Sequence, residues 1–206
     1  RLQKILKKMK QAGCEFLVIE VTSHALAQSR IAGIPITCAV LVNLAGDHLE
    51  YHGGFEQYRE AKMKLFSHHP KISVLPKDDP NVSYFEKLPA DKKIYFTIAQ
   101  AIDIHYEEEQ TTFTFSFGHE LVAINWKLLG HTNILNALAA AGVAQGFRIS
   151  KEIVKKAFEK ISAIPGRYES VRCSPDQNFR IIVDYAHTAP SLEELCKFYR
   201  PLTRGK

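Results

Sequence analysis

With 206 residues, 46% of them hydrophobic and 24% charged, the chain can bury a sizeable core and suits one domain plus part of another. No stretch of about 18 apolar residues occurs, which argues against a membrane span, and residues 1–10 are basic and periodic, without a signal-peptide layout. The net charge of +5 comes from Lys and Arg interleaved with Asp and Glu; without an Arg-rich block or zinc-finger spacing, this speaks against nucleic acid and for a basic surface around an anionic nucleotide.

Leu2, Ile5, Leu6 and Met9 recur at helical spacing, which predicts an amphipathic helix over 1–12. Residues 16–21, 39–44 and 72–75 read as short buried strands, with a helix over 54–68 between the second and third. Buried strands alternating with helices predict an α/β fold, a mostly parallel sheet flanked by helices. Cys14, Cys38, Cys173 and Cys196 lie far apart with no CxxC pair, which suits free thiols in a reducing cytoplasm rather than disulfides or a zinc site. From about residue 93 the pattern changes. Residues 94–98, 104–106, 111–117 and 121–126 are short and β-branched or aromatic, predicting a small antiparallel β-subdomain. Helices follow over 132–145 and 150–161, the second with Ser150 as N-cap. After Pro165-Gly166, residues 179–184 read as a strand feeding a helix near 190–198, where Ser191 and Glu194 have capping-box spacing. One βα pair is too little for a domain. The expected organisation is a central domain over 1–169 and the opening βα unit of another over 170–206.

Some residues break these local patterns. In the 54–68 helix, Phe55, Tyr58, Leu65 and Phe66 share a face, and Lys62 sits in the middle of it while Lys64 points away. Lys62 either snorkels to water along its stem or needs a partner, loss of its proton or chemical modification. Asp47-His48 follows the second strand, where ligands collect in open α/β sheets, although histidine is also common in loops. Glu20 lies near the carboxyl end of the first predicted strand, and a buried carboxylate there needs a cationic side chain or a metal. Thr22-Ser-His-Ala-Leu-Ala-Gln-Ser-Arg30 offers hydroxyls, an amide and a guanidinium to an anionic ligand, or is simply a capped helix start. Asn133 and Asn136 lie one turn apart at a helix start, as nucleotide contacts or as caps. Asp184-Tyr-Ala-His-Thr188 again puts polar groups at a strand's carboxyl end.

In this order the motifs are specific. Glu20-Val-Thr-Ser-His, Asn43-Leu-(x)2-Asp-His-Leu-Glu-Tyr-His-Gly53, Tyr58-Arg-Glu-Ala-Lys62-(x)2-Leu-Phe66, Gly130-(x)2-Asn-(x)2-Asn136, Pro165-Gly-Arg167-(x)-Glu169 and Asp184-Tyr-Ala-His-Thr188 resemble the Mur ligases. The resemblance spans about 14–200 and is strongest to the tripeptide-synthetase branch of that family. It implies an ATP-dependent amide ligase that adds meso-diaminopimelate or L-lysine to a UDP-muramoyl dipeptide in peptidoglycan synthesis. A substrate carboxylate would first take the γ-phosphoryl group of ATP, and an amine would then displace phosphate. The resemblance also implies N-carbamylation of Lys62 and a Mg²⁺ held by that carbamate with Glu20 and His48. Thr22, Ser23, Gln28 and Arg30 fall on or beside substrate positions, with Thr22 where a serine is usual. Asn133, Asn136, Arg167 and Asp184 fall on ATP positions; His187 shares the last motif without an assigned role. The family's Gly-Lys-Thr phosphate loop is absent from this sequence, so the chain alone is expected not to ligate. Rival readings are a non-catalytic nucleotide- or peptide-binding module, a folylpolyglutamate synthase-like ligase, and a metal-dependent hydrolase built on Asp47, His48 and Glu20.

Overall fold

The computed structural model describes residues 2–46, 49–174 and 176–203, so Asp47 and His48 lie outside the described residues. The chain divides into two compact units, residues 1–94 and 95–206.

The first unit opens with α1 (Leu2–Gln11) and the short α2 (Ser23–Ala27). There follow β1 (Cys38–Val40), the one-turn α3 (Leu49–His52), α4 (Phe55–Met63), β2 (Ile72–Pro76) and α5 (Val82–Glu86). β3 (Lys92–Phe96) crosses into the second unit. The sheet order is β1-β2-β3, and β1 runs parallel to β2 with Cys38 opposite Ile72 and Val40 opposite Val74. A parallel pair needs a crossover, supplied here by α3 and α4. All five residues of β2 are buried, as a strand covered on both faces requires. Ala39, Leu41, Leu44, Tyr58, Phe66, Leu75 and Phe85 form the core, with the Phe66 and Phe85 rings edge to face at 5.2 Å.

The structure departs from several of these expectations. Residues 16–21 form no strand of any sheet among the described residues; Phe16 is 76% and Val18 97% exposed. An apolar run becomes a buried strand only where neighbours pair with its edges and cover its faces. Glu20 is therefore exposed rather than a buried carboxylate. The predicted strand at 94–98 starts two residues earlier and joins the first sheet instead of the antiparallel one. The 54–68 helix ends at Met63 and continues as turns.

The second unit holds the antiparallel sheet of β4 (Ala101–Tyr106), β5 (Thr111–Phe117) and β6 (Glu120–Trp126). Phe117 pairs with Glu120 around the tight Gly118-His119 turn, where Gly118 supplies the positive φ of +67°. Alternation puts Phe113, Phe115, Val122, Ile124 and Trp126 on one buried face. Phe158 of α7 (Lys151–Lys160) covers that face, its ring 5.6 Å from Trp126 and 6.1 Å from Phe115. Between them runs α6 (His131–Gly146), with Ile134, Ala137, Leu138 and Ala141 buried. β7 (Glu169–Val171) pairs antiparallel with β8 (Ile181–Val183), and α8 (Ala189–Tyr199) follows. The capping box of α8 is Thr188 with Ser191, one turn earlier than the predicted Ser191 and Glu194. Ser150 stands at the N-cap of α7 in extended backbone, without a side-chain capping bond.

Candidate functional site

In the first unit the polar residues of the Thr22–Arg30 segment gather around α2. Thr22 is its N-cap, the hydroxyl accepting from the Ala25 amide at 3.1 Å. Ser23 is buried, its hydroxyl 2.9 Å from His52 Nε2. Past the helix, Ser29 adopts a left-handed φ of +52°, a conformation costly for a non-glycine residue. The resulting turn lets Arg30 Nε donate to Gln28 Oε1 at 2.8 Å, and Gln28 Nε2 donates to the Tyr51 hydroxyl at 2.8 Å. The His24 ring lies 4.0 Å from that of Tyr51 and 5.4 Å from that of His52. Ser23 and Gln28 thus reach α3 directly and Arg30 reaches it through Gln28, while Thr22 serves α2 as its cap. In the sequence Tyr51 and His52 stand out only as members of the Asn43–Gly53 motif.

Lys62 is half-buried on α4, its ammonium 5.3 Å from the centre of the Tyr58 ring, while Lys64 is exposed. The helical-face expectation for this pair is met. Tyr58 itself is buried and donates its hydroxyl to the Ala45 carbonyl at 2.8 Å, and Asp79 accepts the Leu44 amide at 2.9 Å. Two side chains therefore anchor the backbone of residues 44 and 45. Asp79, which carried no sequence signal, does so from a position 35 residues away. Glu20 and Lys62 both belong to this unit, and His48 lies outside the described residues. A carboxylate, an imidazole and a carbamate would be a donor set rich in hard anionic oxygens, which fits Mg²⁺.

In the second unit the nucleotide-side candidates divide in two. Asn133 is buried and donates its amide to the Leu129 carbonyl at 2.7 Å, fixing the turn before α6, whereas Asn136 is exposed one turn on. Asp184 spends one carboxylate oxygen on the Tyr168 amide and the other on the Ala186 amide, each at 2.8 Å. It ties the Gly166–Tyr168 turn to the end of β8. Arg167 lies 4.9 Å over the Tyr185 ring, and the His187 ring is also 4.9 Å from Tyr185. Arg167, Tyr185 and His187 make a cationic and aromatic surface on which a flat heteroaromatic base could stack.

Beside this surface, Tyr106, Tyr168, Phe198 and Tyr199 form an aromatic cluster, with Phe198 edge-on to Tyr106 at 5.0 Å and to Tyr168 at 5.4 Å. Glu194 accepts from the Thr132 hydroxyl at 2.6 Å. Burial, then the Glu194 charge, pushes Tyr168 up to about 12. Burial, then Tyr168, does the same to Tyr199, also to about 12. The fold favours the neutral phenols, so their contribution is complete below the ordinary tyrosine value of about 10 and is lost as pH rises toward 12. The melting temperature of the chain is expected to fall between about pH 10 and pH 12. A Tyr168→Phe/Tyr199→Phe variant should lose part of that decline; an identical alkaline slope in both proteins would refute the assignment.

Comparison with known proteins gives these features a family context. Residues 1–144 match the Mur ligase middle domain. The UDP-N-acetylmuramoyl-L-alanyl-D-glutamate–2,6-diaminopimelate ligase of Geobacillus kaustophilus is 38% identical, the match covering 98% of this chain and 44% of the relative. The ligase of the same name from Nostoc is 36% identical over 100% of this chain and 43% of its own length. A solved structure of such a ligase superposes with a TM-score of 0.81 at 32% identity, covering 97% of this chain and 42% of that one. The MurF ligase of Thermotoga maritima, solved with ADP, shares the fold at 18% identity and a TM-score of 0.69, over 87% of this chain and 42% of its own. The chain spans less than half the length of these relatives. With its middle-domain match over 1–144 and an α/β unit followed by a small antiparallel sheet, the chain belongs to the Mur ligase family.

Proposed function

We propose that this chain forms the central part of an ATP-dependent ligase that joins 2,6-diaminopimelate to UDP-N-acetylmuramoyl-L-alanyl-D-glutamate in the cytoplasm. The names of the relatives favour diaminopimelate over lysine as the incoming amino acid. Among the described residues no helix is long and apolar enough to cross a membrane. In family terms 1–169 is the central domain and 170–206 the first βα unit of the next, a division that differs from the compact units at 94 and 95.

The observation that carries the reading is the series from Arg30 through Gln28 to Tyr51 of α3, beside the Ser23–His52 contact, in the unit that also holds Lys62. The Arg30 guanidinium, braced at Nε by Gln28, keeps its two terminal nitrogens for an acidic peptide. Arg167 and Tyr185 would take the adenine side, with Asp184 and Asn133 fixing the backbone around it and Asn136 exposed one turn on. Glu20, His48 and the Lys62 carbamate would hold Mg²⁺, which supplies charge neutralisation at the transferring phosphoryl group. The substrate carboxylate takes that phosphoryl group and ADP leaves; the amine then displaces phosphate and loses its proton as the amide forms.

Titration calorimetry with UDP-N-acetylmuramoyl-L-alanyl-D-glutamate tests this. Arg30→Ala should weaken binding to the chain by tenfold or more, roughly one charge-assisted contact. Absence of binding to the parent chain at millimolar ligand, or equal binding by the variant, would remove the reading.

A further inference from the structure

The nitrogen Nε of Arg30 carries one hydrogen and no lone pair, so its contact with Gln28 Oε1 has only one possible direction. This orients the amide. Its oxygen faces Arg30, and its nitrogen faces Tyr51 and donates to the phenol oxygen at 2.8 Å. Tyr51 is therefore an acceptor in this contact, and its own hydrogen remains to be donated elsewhere. Among the described residues no protein group accepts it. The three groups form a one-way series of donors that begins at a cation, and each bond polarises the next. The phenol hydrogen at the end is thus a better donor than that of an isolated tyrosine. The Tyr51 ring is braced by His24 at 4.0 Å and His52 at 4.9 Å, yet the residue is 47% exposed. A preoriented, water-accessible donor beside a guanidinium suits a planar group with a single negative charge.

We propose that Tyr51 is a further substrate-binding residue of this site, its hydroxyl donating to a carboxylate oxygen of the terminal D-glutamate of the peptide that Arg30 engages. The inference rests on the substrate reading above and adds to it a donor and a specificity. Without the Gln28 bridge the phenol would be an ordinary surface tyrosine. With it, the orientation of Tyr51 and that of Arg30 are set together.

Calorimetry on the 206-residue chain separates the outcomes, using UDP-N-acetylmuramoyl-L-alanyl-D-glutamate and two analogues in which one or the other glutamate carboxylate is an amide. Tyr51→Phe should weaken binding of the parent ligand about tenfold, the scale of one hydrogen bond to a charged group, with no change in melting temperature. The loss should vanish for one amidated analogue and persist for the other. A role limited to bracing Gln28 would give the same loss with all three ligands, as would donation to a phosphate, and either result overturns the proposal. If Arg30→Ala weakens binding while Tyr51→Phe does not, the proposal falls and the substrate reading stands. Should the parent chain bind none of the three, both fall.

Discussion

Gly130→Ala is expected to destabilise the second unit by about 3 kcal/mol, from backbone strain and overpacking together. Gly130 is the N-cap of α6 at φ +97° and ψ 144°, a region that side chains of L-residues scarcely enter. An added Cβ would lie 2.6 Å from Tyr168 Cζ and 2.7 Å from Cε1. That ring cannot swing aside freely, because Phe198 and Tyr199 flank it at 5.4 and 6.0 Å. The Tyr168 backbone is also tied, through its amide, to Asp184. Chemical denaturation of the parent, Gly130→Ala, Tyr168→Ala and the double variant separates the two causes. The penalty should shrink to the backbone part, about 1–2 kcal/mol, once the ring is gone. An unchanged penalty in the Tyr168→Ala background would show that the close approach contributes nothing.

The consequence extends beyond stability. Gly130 lets the turn before α6 approach Tyr168, Asn133 holds the same turn through Leu129, and Asp184 holds Tyr168 from the other side. Arg167, adjacent in sequence to Tyr168, is carried with it over Tyr185. The nucleotide-side candidates are thus parts of one packed arrangement, and several of them act by positioning backbone rather than by presenting a free polar group.

Much of this architecture was legible from residue patterns because the relevant physics is local. The alternation in 111–126 becomes a hairpin with a buried aromatic face, and the periodicity in 132–145 and 150–161 becomes α6 and α7 within a residue or so. Lys62 stood out because a cation broke an apolar helical face, and the structure keeps that conflict. What failed depended on distant neighbours. Residues 16–21 have strand composition, but composition cannot supply a pairing partner. The 92–96 strand could have joined either sheet, since a short β-branched run carries no address. Capping-box spacing at Ser191 and Glu194 was real, yet Thr188 lay one turn upstream and Glu194 was drawn to Thr132, 62 residues away. Tyr51 and Asp79 act through contacts to residues 23 and 35 positions away, which no window of sequence spans.

The largest effect on activity is expected at Lys62. Lys62 is half-buried with its amine 5.3 Å from the centre of the Tyr58 ring, and Tyr58 in turn bonds the Ala45 carbonyl, so the amine lies near an anchored stretch of backbone. Once the ammonium has given one proton to solvent, the neutral amine can add to carbon dioxide: an N–C bond forms as a C–O π bond opens, the nitrogen gives up a second proton, and a carboxylate-like anion stands where the cation was. With ¹³C-bicarbonate, the chain should show a single carbamate carbonyl resonance that Lys62→Ala lacks. Lys62→Arg should lack it as well, because a guanidinium keeps its protons. In a ligase that carries this segment, either variant is expected to lose about a hundredfold to a thousandfold in turnover, the scale set by removing one electrostatic contact to a reacting centre. Both variants should melt close to the parent temperature, since the remaining apolar face of α4, Phe55, Tyr58 and Phe66, keeps its packing. A resonance that survives in Lys62→Ala would assign the carbamate to another amine. No resonance in the parent chain, with catalysis intact in Lys62→Arg, would mean that the lysine serves as a cation and that the metal, if held here, draws its oxygens from elsewhere.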